Sequence, residues 1–189
     1  MMKKGFVIAA MVAMLAAAPV MAEDTAAIGA NVQEETVIEW NDMVQQSFID
    51  DGFAGTMCNI DALNMELVIP EGMEQRQPTD EEKAKSDILV FENADQTQRI
   101  EFVLGPLGDC QNLDDVINLL GQSYPGITVT PARINEYDTL VFGSEEADSM
   151  TVLISAGESG FLRIIFHPIS DPTLNKLFTY VMASVQQMK

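Results

Sequence analysis

Apolar positions along the chain change spacing several times, and each change marks an element. Trp40, Met43, Val44 and Phe48 recur at helical intervals, which predicts a helix from about Asn41 to Asp51 closed by a left-handed cap at Gly52. Two extended runs follow, Gly55 to Ile60 and Leu63 to Ile69, split at Asp61 and ended by Pro70-Glu71-Gly72. They predict a hairpin. Thr79 with Glu82 three positions on is a capping box, each side chain accepting from the other residue's backbone N–H, at the start of a short helix reaching about Ser86. Ile88 to Phe91 and Arg99 to Leu104 flank Asn93-Ala94-Asp95-Gln96 and read as two antiparallel strands around a turn.

Leu113, Val116, Ile117 and Leu120 lie on one helical stripe behind a candidate cap at Asn112, with Asp114 and Asp115 favourably placed at the positive end of the helix dipole. That helix is expected to end near Gly121. Beyond Pro125-Gly126, four apolar runs (Ile127 to Ile134, Leu140 to Phe142, Met150 to Ile154, Phe161 to Phe166) are separated by short polar turns, the pattern of an antiparallel meander. Asp171 as N-cap, Pro172 at the first helical position and a stripe of Leu174, Leu177, Phe178, Val181, Met182 and Val185 predict a last helix that lays its apolar face on the sheet. The fold class is therefore α+β: one twisted antiparallel sheet with helices packed on it, covered mainly on one side.

The N-terminus reads differently. Lys3 and Lys4 precede an apolar run from Phe6 to Ala18, and Pro19-Val20-Met21-Ala22 offers small or aliphatic residues where a signal peptidase cuts. Residues 1–22 are read as a signal peptide, residues 23–36 as a flexible acidic lead-in, and 37–189 as a single domain. A retained anchor is disfavoured, because the run is shorter than the roughly 20 residues of a spanning helix. Localisation is expected to be secreted or periplasmic, with no membrane insertion after cleavage.

Lysine and arginine number 10 against 29 acids, for a net charge of −19, and loss of Lys3 and Lys4 makes it two charges more negative. Such a surface repels nucleic-acid backbones and anionic lipid headgroups. With 47% hydrophobic residues the chain has enough apolar material to fold.

The order of a strand ending in Pro70-x-Gly72, paired strands through Leu104, the Leu113 to Leu120 helix, a four-strand meander and a final helix carrying Ala183-Ser184-Val185 resembles the PsbP/Mog1-like α/β/α sandwich. The ending FHPISDPTLNKLFTYVMASVQ, with Glu39-Trp40 leading into a helix and Gly52 after it, also resembles small exported proteins of unknown function from anaerobic Gram-positive bacteria. The resemblance spans roughly Val37 to Gln186, and the first helix and the Gly55 to Ile60 strand are additions to the basic pattern. It implies an adaptor or binding protein and transfers no catalytic motif.

Candidate chemistry is sparse. A single histidine, His167, and two cysteines far apart exclude the usual zinc patterns. Ala156-Gly157-Glu158-Ser159-Gly160-Phe161 lacks the last glycine of a nucleophile elbow and sits between strands, so it reads as a hairpin turn. Asp50-Asp51, Asp114-Asp115 and Glu145-Glu146 fall at helix ends or turns, and none has calcium-loop spacing. No metal, cofactor or catalytic residue is therefore assigned. Arg163 and His167, four apart on one strand opposite in parity to Leu162, Ile164 and Phe166, share a face. They form either a solvated strand face or a small cationic spot for an anion or carboxylate.

Cys58 and Cys110 would form one bridge in an oxidising compartment, stabilising by about 3 to 4 kcal/mol in the chain-entropy model; two reduced thiols packed as small hydrophobes are the alternative. The reading favoured by the sequence is an exported acidic, non-catalytic binding module with an unidentified protein or small-molecule partner. The alternatives are a hydrolase whose carboxylate site is assembled only in the fold, and a structural surface protein whose acidity itself matters.

Overall fold

Residues 29–188 are described in the computed structural model of the chain; the expected signal peptide and residues 23–28 of the lead-in lie outside the described residues. The main sheet runs in the order β1 (Asn31–Val32), β8 (Thr128–Ile134), β9 (Tyr137–Ser144), β10 (Ser149–Ser155), β11 (Phe161–His167), β7 (Arg99–Gly105), β6 (Asp87–Asn93), β5 (Met73–Arg76), and β2 (Thr36–Ile38) also pairs with β8. Every pairing from β8 to β5 is antiparallel. The sheet as a whole is mixed, because β1 and β2 run parallel to β8. The α+β class holds, and the wholly antiparallel sheet expected from the pattern is corrected at this one edge. Part of the expected lead-in, residues 31–32, is strand, held by Asn31 N–H donating to Ile127 O at 2.7 Å and Gln33 N–H to Val129 O at 2.9 Å.

The hairpin of β3 (Gly55–Ile60) and β4 (Met65–Pro70) forms as expected. It builds a separate three-stranded sheet with β12 (Gln186–Gln187). Four α-helices stand among the described residues: α1 (Asp42–Asp50), α2 (Asp80–Ala84), α3 (Leu113–Ser123) and α4 (Pro172–Ala183). Their starts follow the sequence closely. Asn41 accepts from the backbone of Met43 and Val44, Thr79 and Glu82 close the capping box, Asn112 accepts from Asp115, and Asp171 accepts from Thr173 and Leu174 ahead of Pro172.

Alternation along the strands sends two sets of side chains to opposite faces. On one face Ile100, Phe102, Val152, Ile164 and Phe166 pack with α4 (Phe178, Val181), α1 (Val44, Phe48) and the small sheet (Met65, Leu67) in the larger core. On the other, Val129, Leu140, Leu153 and Phe161 meet Val116 of α3 in a smaller core. The sheet is thus covered on both faces, a correction to cover mainly on one side, although the larger core does lie on a single face. Among the described residues no helix is long and apolar enough to cross a membrane.

Candidate functional site

The face of β5, β6, β7 and β11 that turns away from the larger core is charged. Register sets its rows: Arg163 pairs with Val103, Ile165 with Glu101 and His167 with Arg99 across β11 and β7, while Val90 pairs with Glu101 and Glu92 with Arg99 across β7 and β6. Directly opposed residues share a face. Arg76 joins from β5 opposite Val90. Val90 and Val103, both buried, form the apolar floor between the charges.

Asp87 reaches this face through an irregularity. Strict alternation would send Asp87 inward with Leu89 and Phe91. A β-bulge between Asp87 and Leu89 instead sets Asp87 opposite Val103 while Leu89 stays opposite Phe102, which re-aims the carboxylate. Asp87 is only 7% exposed, and it has no hydrogen-bond or ion-pair partner among the described residues. Burial, and then the neighbouring Glu101, push its carboxyl above the usual range.

The helix α2 supplies the centre of the network. Its Glu82 accepts from the Thr79 backbone at 2.7 Å, and its two oxygens take both terminal nitrogens of Arg76, at 2.6 and 2.8 Å. Arg99 Nη2 also donates to Glu82 Oε1. Arg76 Nε lies 2.7 Å from Glu92, whose hydrogen bond raises the Arg76 pKa. Arg99 Nη1 reaches Glu101 at 2.9 Å. One carboxylate oxygen from each of Glu82, Asp87 and Glu101 lies within 4.8 Å of the other two.

The two residues singled out from the sequence both belong to this face. His167 Nε2 stands 3.9 Å from Glu101 Oε2, beyond a hydrogen bond. Arg163 is partly buried, has no hydrogen bond or ion pair among the described residues, and its Nε is fully buried without a partner. Burial lowers its pKa, against the pull of Asp87. Arg76, Glu82, Asp87, Glu92, Arg99 and Glu101 were not singled out as site residues. Strand parity could have placed Arg99 and Glu101 together, but nothing linear puts α2 over β6.

The cysteine pair is not brought together. Both thiols are free; Cys58 packs against the larger core and Cys110 against the smaller one, so the main sheet lies between them. The Gly157–Ser159 turn joins β10 to β11, in keeping with a hairpin.

No family model matches the chain, and no curated protein matches it. Among solved structures the chain is similar to cyanobacterial PsbP (CyanoP) from Synechocystis sp. PCC 6803, at 13% identity over 70% of this chain and 91% of that one, with a TM-score of 0.46. It is also similar to a protein from Bacteroides thetaiotaomicron VPI-5482, at 13% identity over 71% of this chain and 49% of that one, with a TM-score of 0.42. The chain thus spans about half the length of the second protein.

Proposed function

We propose that the chain is an exported, acidic binding module that holds an anionic group of its partner at Arg163 and His167. The observation that carries this reading is Arg163: the neighbouring Arg76 and Arg99 are engaged by Glu82, Glu92 and Glu101, whereas Arg163 makes no hydrogen bond or ion pair among the described residues. A guanidinium with its donors open is suited to a carboxylate or phosphate oxygen. The net charge of −19 opposes the approach of such a group, so affinity at this spot should rise with ionic strength.

The Nε–Hε resonances of arginine allow a direct test. Acetate and inorganic phosphate, titrated separately into the 15N-arginine-labelled chain, should shift the Arg163 signal saturably while Arg133, far along the sheet on β8, drifts linearly. Equal linear drift at both would overturn the anion contact. Export is checked by the mass of the protein recovered from its host, which should begin at Glu23.

One observation favours the hydrolase alternative, namely the gathering of Asp87 and Glu101 with a raised Asp87 carboxyl. That reading requires Asp87→Asn to abolish turnover of some member of a glycoside, ester and peptide panel that the parent chain hydrolyses.

A further inference from the structure

The small sheet ends in an open strand: β3 pairs with β4 on one side and with no strand among the described residues on the other. Which of its main-chain groups face outward follows from β4. Val68 N–H donates to Ser184 Oγ at 2.8 Å, and Asn64 O accepts from Met188 N–H at 3.2 Å, so the even-numbered positions of β4 turn away from β3. Glu71 N–H, donating to Ala54 O at 2.9 Å, shows the odd-numbered positions turning toward it. Opposed residues of an antiparallel pair exchange both bonds or neither. Because Pro70, Val68 and Glu66 lie opposite Gly55, Met57 and Asn59, these three residues of β3 point their N–H and C=O groups outward.

This edge lacks the usual guards, which are charge, proline, a bulge or short length. The strands β1, β2 and β12 are two or three residues long, and β5 carries Glu74 and Arg76. By contrast β3 has six residues, none of them charged and none proline, and its register with β4 runs without a shift. Gly55, Thr56 and Asn59 are exposed. The sequence around the edge is acidic. Between Lys4 and Arg76 the chain has no lysine, arginine or histidine, while exposed Asp61 follows β3, Glu66 lies opposite Asn59, and exposed Glu71 is bonded to Ala54 beside the start of the strand.

We infer that the open edge of β3 docks an extended peptide segment of a partner protein, with basic residues at its ends, as a further strand of the small sheet. Main-chain bonds to Gly55, Met57 and Asn59 supply the affinity. Charge selects the occupant. A second copy would bring two acidic edges together, each on a chain of net charge −19, whereas lysine or arginine flanking an extended partner meets Glu71 at one end and Glu66 and Asp61 at the other. The edge belongs to the small sheet and Arg163 to the main one, so this docking and the anion contact stand or fall separately.

The probe is a capped peptide of alternating valine and threonine with two lysines at each end, titrated into the 15N-labelled full chain. Saturable shifts centred on residues 55–60 are expected. The amides of Met57 and Asn59, open to exchange in the unbound chain, should become protected, while those of Thr56, Cys58 and Ile60 are already held by β4. Replacing the lysines of the peptide with glutamates should weaken binding at least about tenfold. Asn59→Pro, which deletes one outward N–H and no bond to β4, should weaken it about five- to tenfold. Should that variant fail to fold, N-methylation of alternate peptide residues removes the same kind of bond from the other side, and one of its two phases should abolish binding. No saturable shift, shifts centred elsewhere, equal binding of the glutamate peptide, or indifference to both N-methylated phases overturns the inference. Protection of Met57 and Asn59 in the unbound chain also overturns it, and sedimentation then assigns the edge to a second copy if the chain is dimeric.

Discussion

Tyr180, on the buried stripe of α4, donates a 2.5 Å hydrogen bond to Asp51 at the end of α1. Lys176, one turn earlier on α4, holds the other Asp51 oxygen at 2.7 Å. The Tyr180 ring also packs edge-on against Phe48 and Phe53, with centroids 5.7 and 5.9 Å away, so the added N-terminal helix is tied to the C-terminal one by both polar and aromatic contacts. Tyr180→Phe keeps the ring and deletes the donor. Because Lys176 still pairs Asp51, the expected loss is about 1–2 kcal/mol, read as a lower urea midpoint at unchanged slope.

The same pair gives a pH dependence with a definite sign. Hydrogen bonds from Lys176 and then Tyr180 hold the Asp51 carboxyl below its ordinary value, against a smaller opposing effect of burial. A carboxyl depressed in the folded state contributes stability above its unfolded pKa of about 3.9, and that contribution is lost as pH falls through the folded value. Asp51→Asn should therefore be less stable than the parent at pH 7, with the gap closing in acid. Denaturant titrations from pH 7 down to pH 2.5 read the gap directly; a gap that stays constant to the acid limit would remove Asp51 as its source.

Glu82 performs two tasks with one carboxylate, and variants can separate them. Glu82→Gln keeps an acceptor for the Thr79 N–H but loses the charge facing Arg76 and Arg99, whereas Glu82→Ala loses both. Breaking a buried pair by removing one partner costs about 3–5 kcal/mol, and partial exposure of the two arginine side chains, 28% and 31%, lowers the expectation for Glu82→Ala to about 2–4 kcal/mol. Thr79→Ala, which removes only the cap, should cost about 1 kcal/mol. Thermal denaturation should order them with Glu82→Ala least stable and Glu82→Gln between it and the parent.

What the sequence revealed and what it hid divide along physical lines. The helices and the meander were legible because each repeats its apolar spacing over a full element. Strands of two to four residues, β1, β2, β5 and β12, are too short to show a period, and their partners lie far away in the chain. The β3–β4 hairpin was legible, but a local hairpin does not say which sheet it joins. Arg163 and His167 could be placed together by parity alone. Asp87 could not, since the bulge after it reverses parity, and Cys58 and Cys110 were separated by a sheet whose two-sided cover depends on where α3 docks.

Asn135 is the polar fastener between the β8–β9 turn and the chain's last elements. It sits in the left-handed region at φ 50°, accepts from the Trp40 backbone at 2.8 Å, and donates to the carbonyls of Ala183 at 3.0 Å and Val185 at 2.6 Å. Asn135→Gly keeps the backbone relaxed and loses three bonds, an expected cost of about 2–3 kcal/mol. Asn135→Ala adds left-handed strain of about 1 kcal/mol. Finding the alanine variant more stable than the glycine variant would show that the backbone there is not left-handed in solution.

Gly121 lies inside α3, where glycine ordinarily weakens a helix by about 0.5–1 kcal/mol relative to alanine. Here the sign should reverse. A Cβ at Gly121 would stand 2.4 Å from the Ala30 nitrogen and 2.8 Å from the Gly29 carbonyl carbon, both backbone atoms that cannot swing aside as a side chain would. Accommodating the methyl means lifting the start of β1 off the helix and straining the bonds from Gly126 N–H to Gly29 O and from Asn31 N–H to Ile127 O, 3.0 and 2.7 Å long. We expect Gly121→Ala to destabilise by about 1–3 kcal/mol and to speed amide exchange at Asn31 and Gln33, while α3 itself gains helix propensity. If the variant is instead more stable, with exchange at those two amides unchanged, β1 does not pass over α3 at this distance, and the segment before Val37 is the free lead-in that its composition suggests.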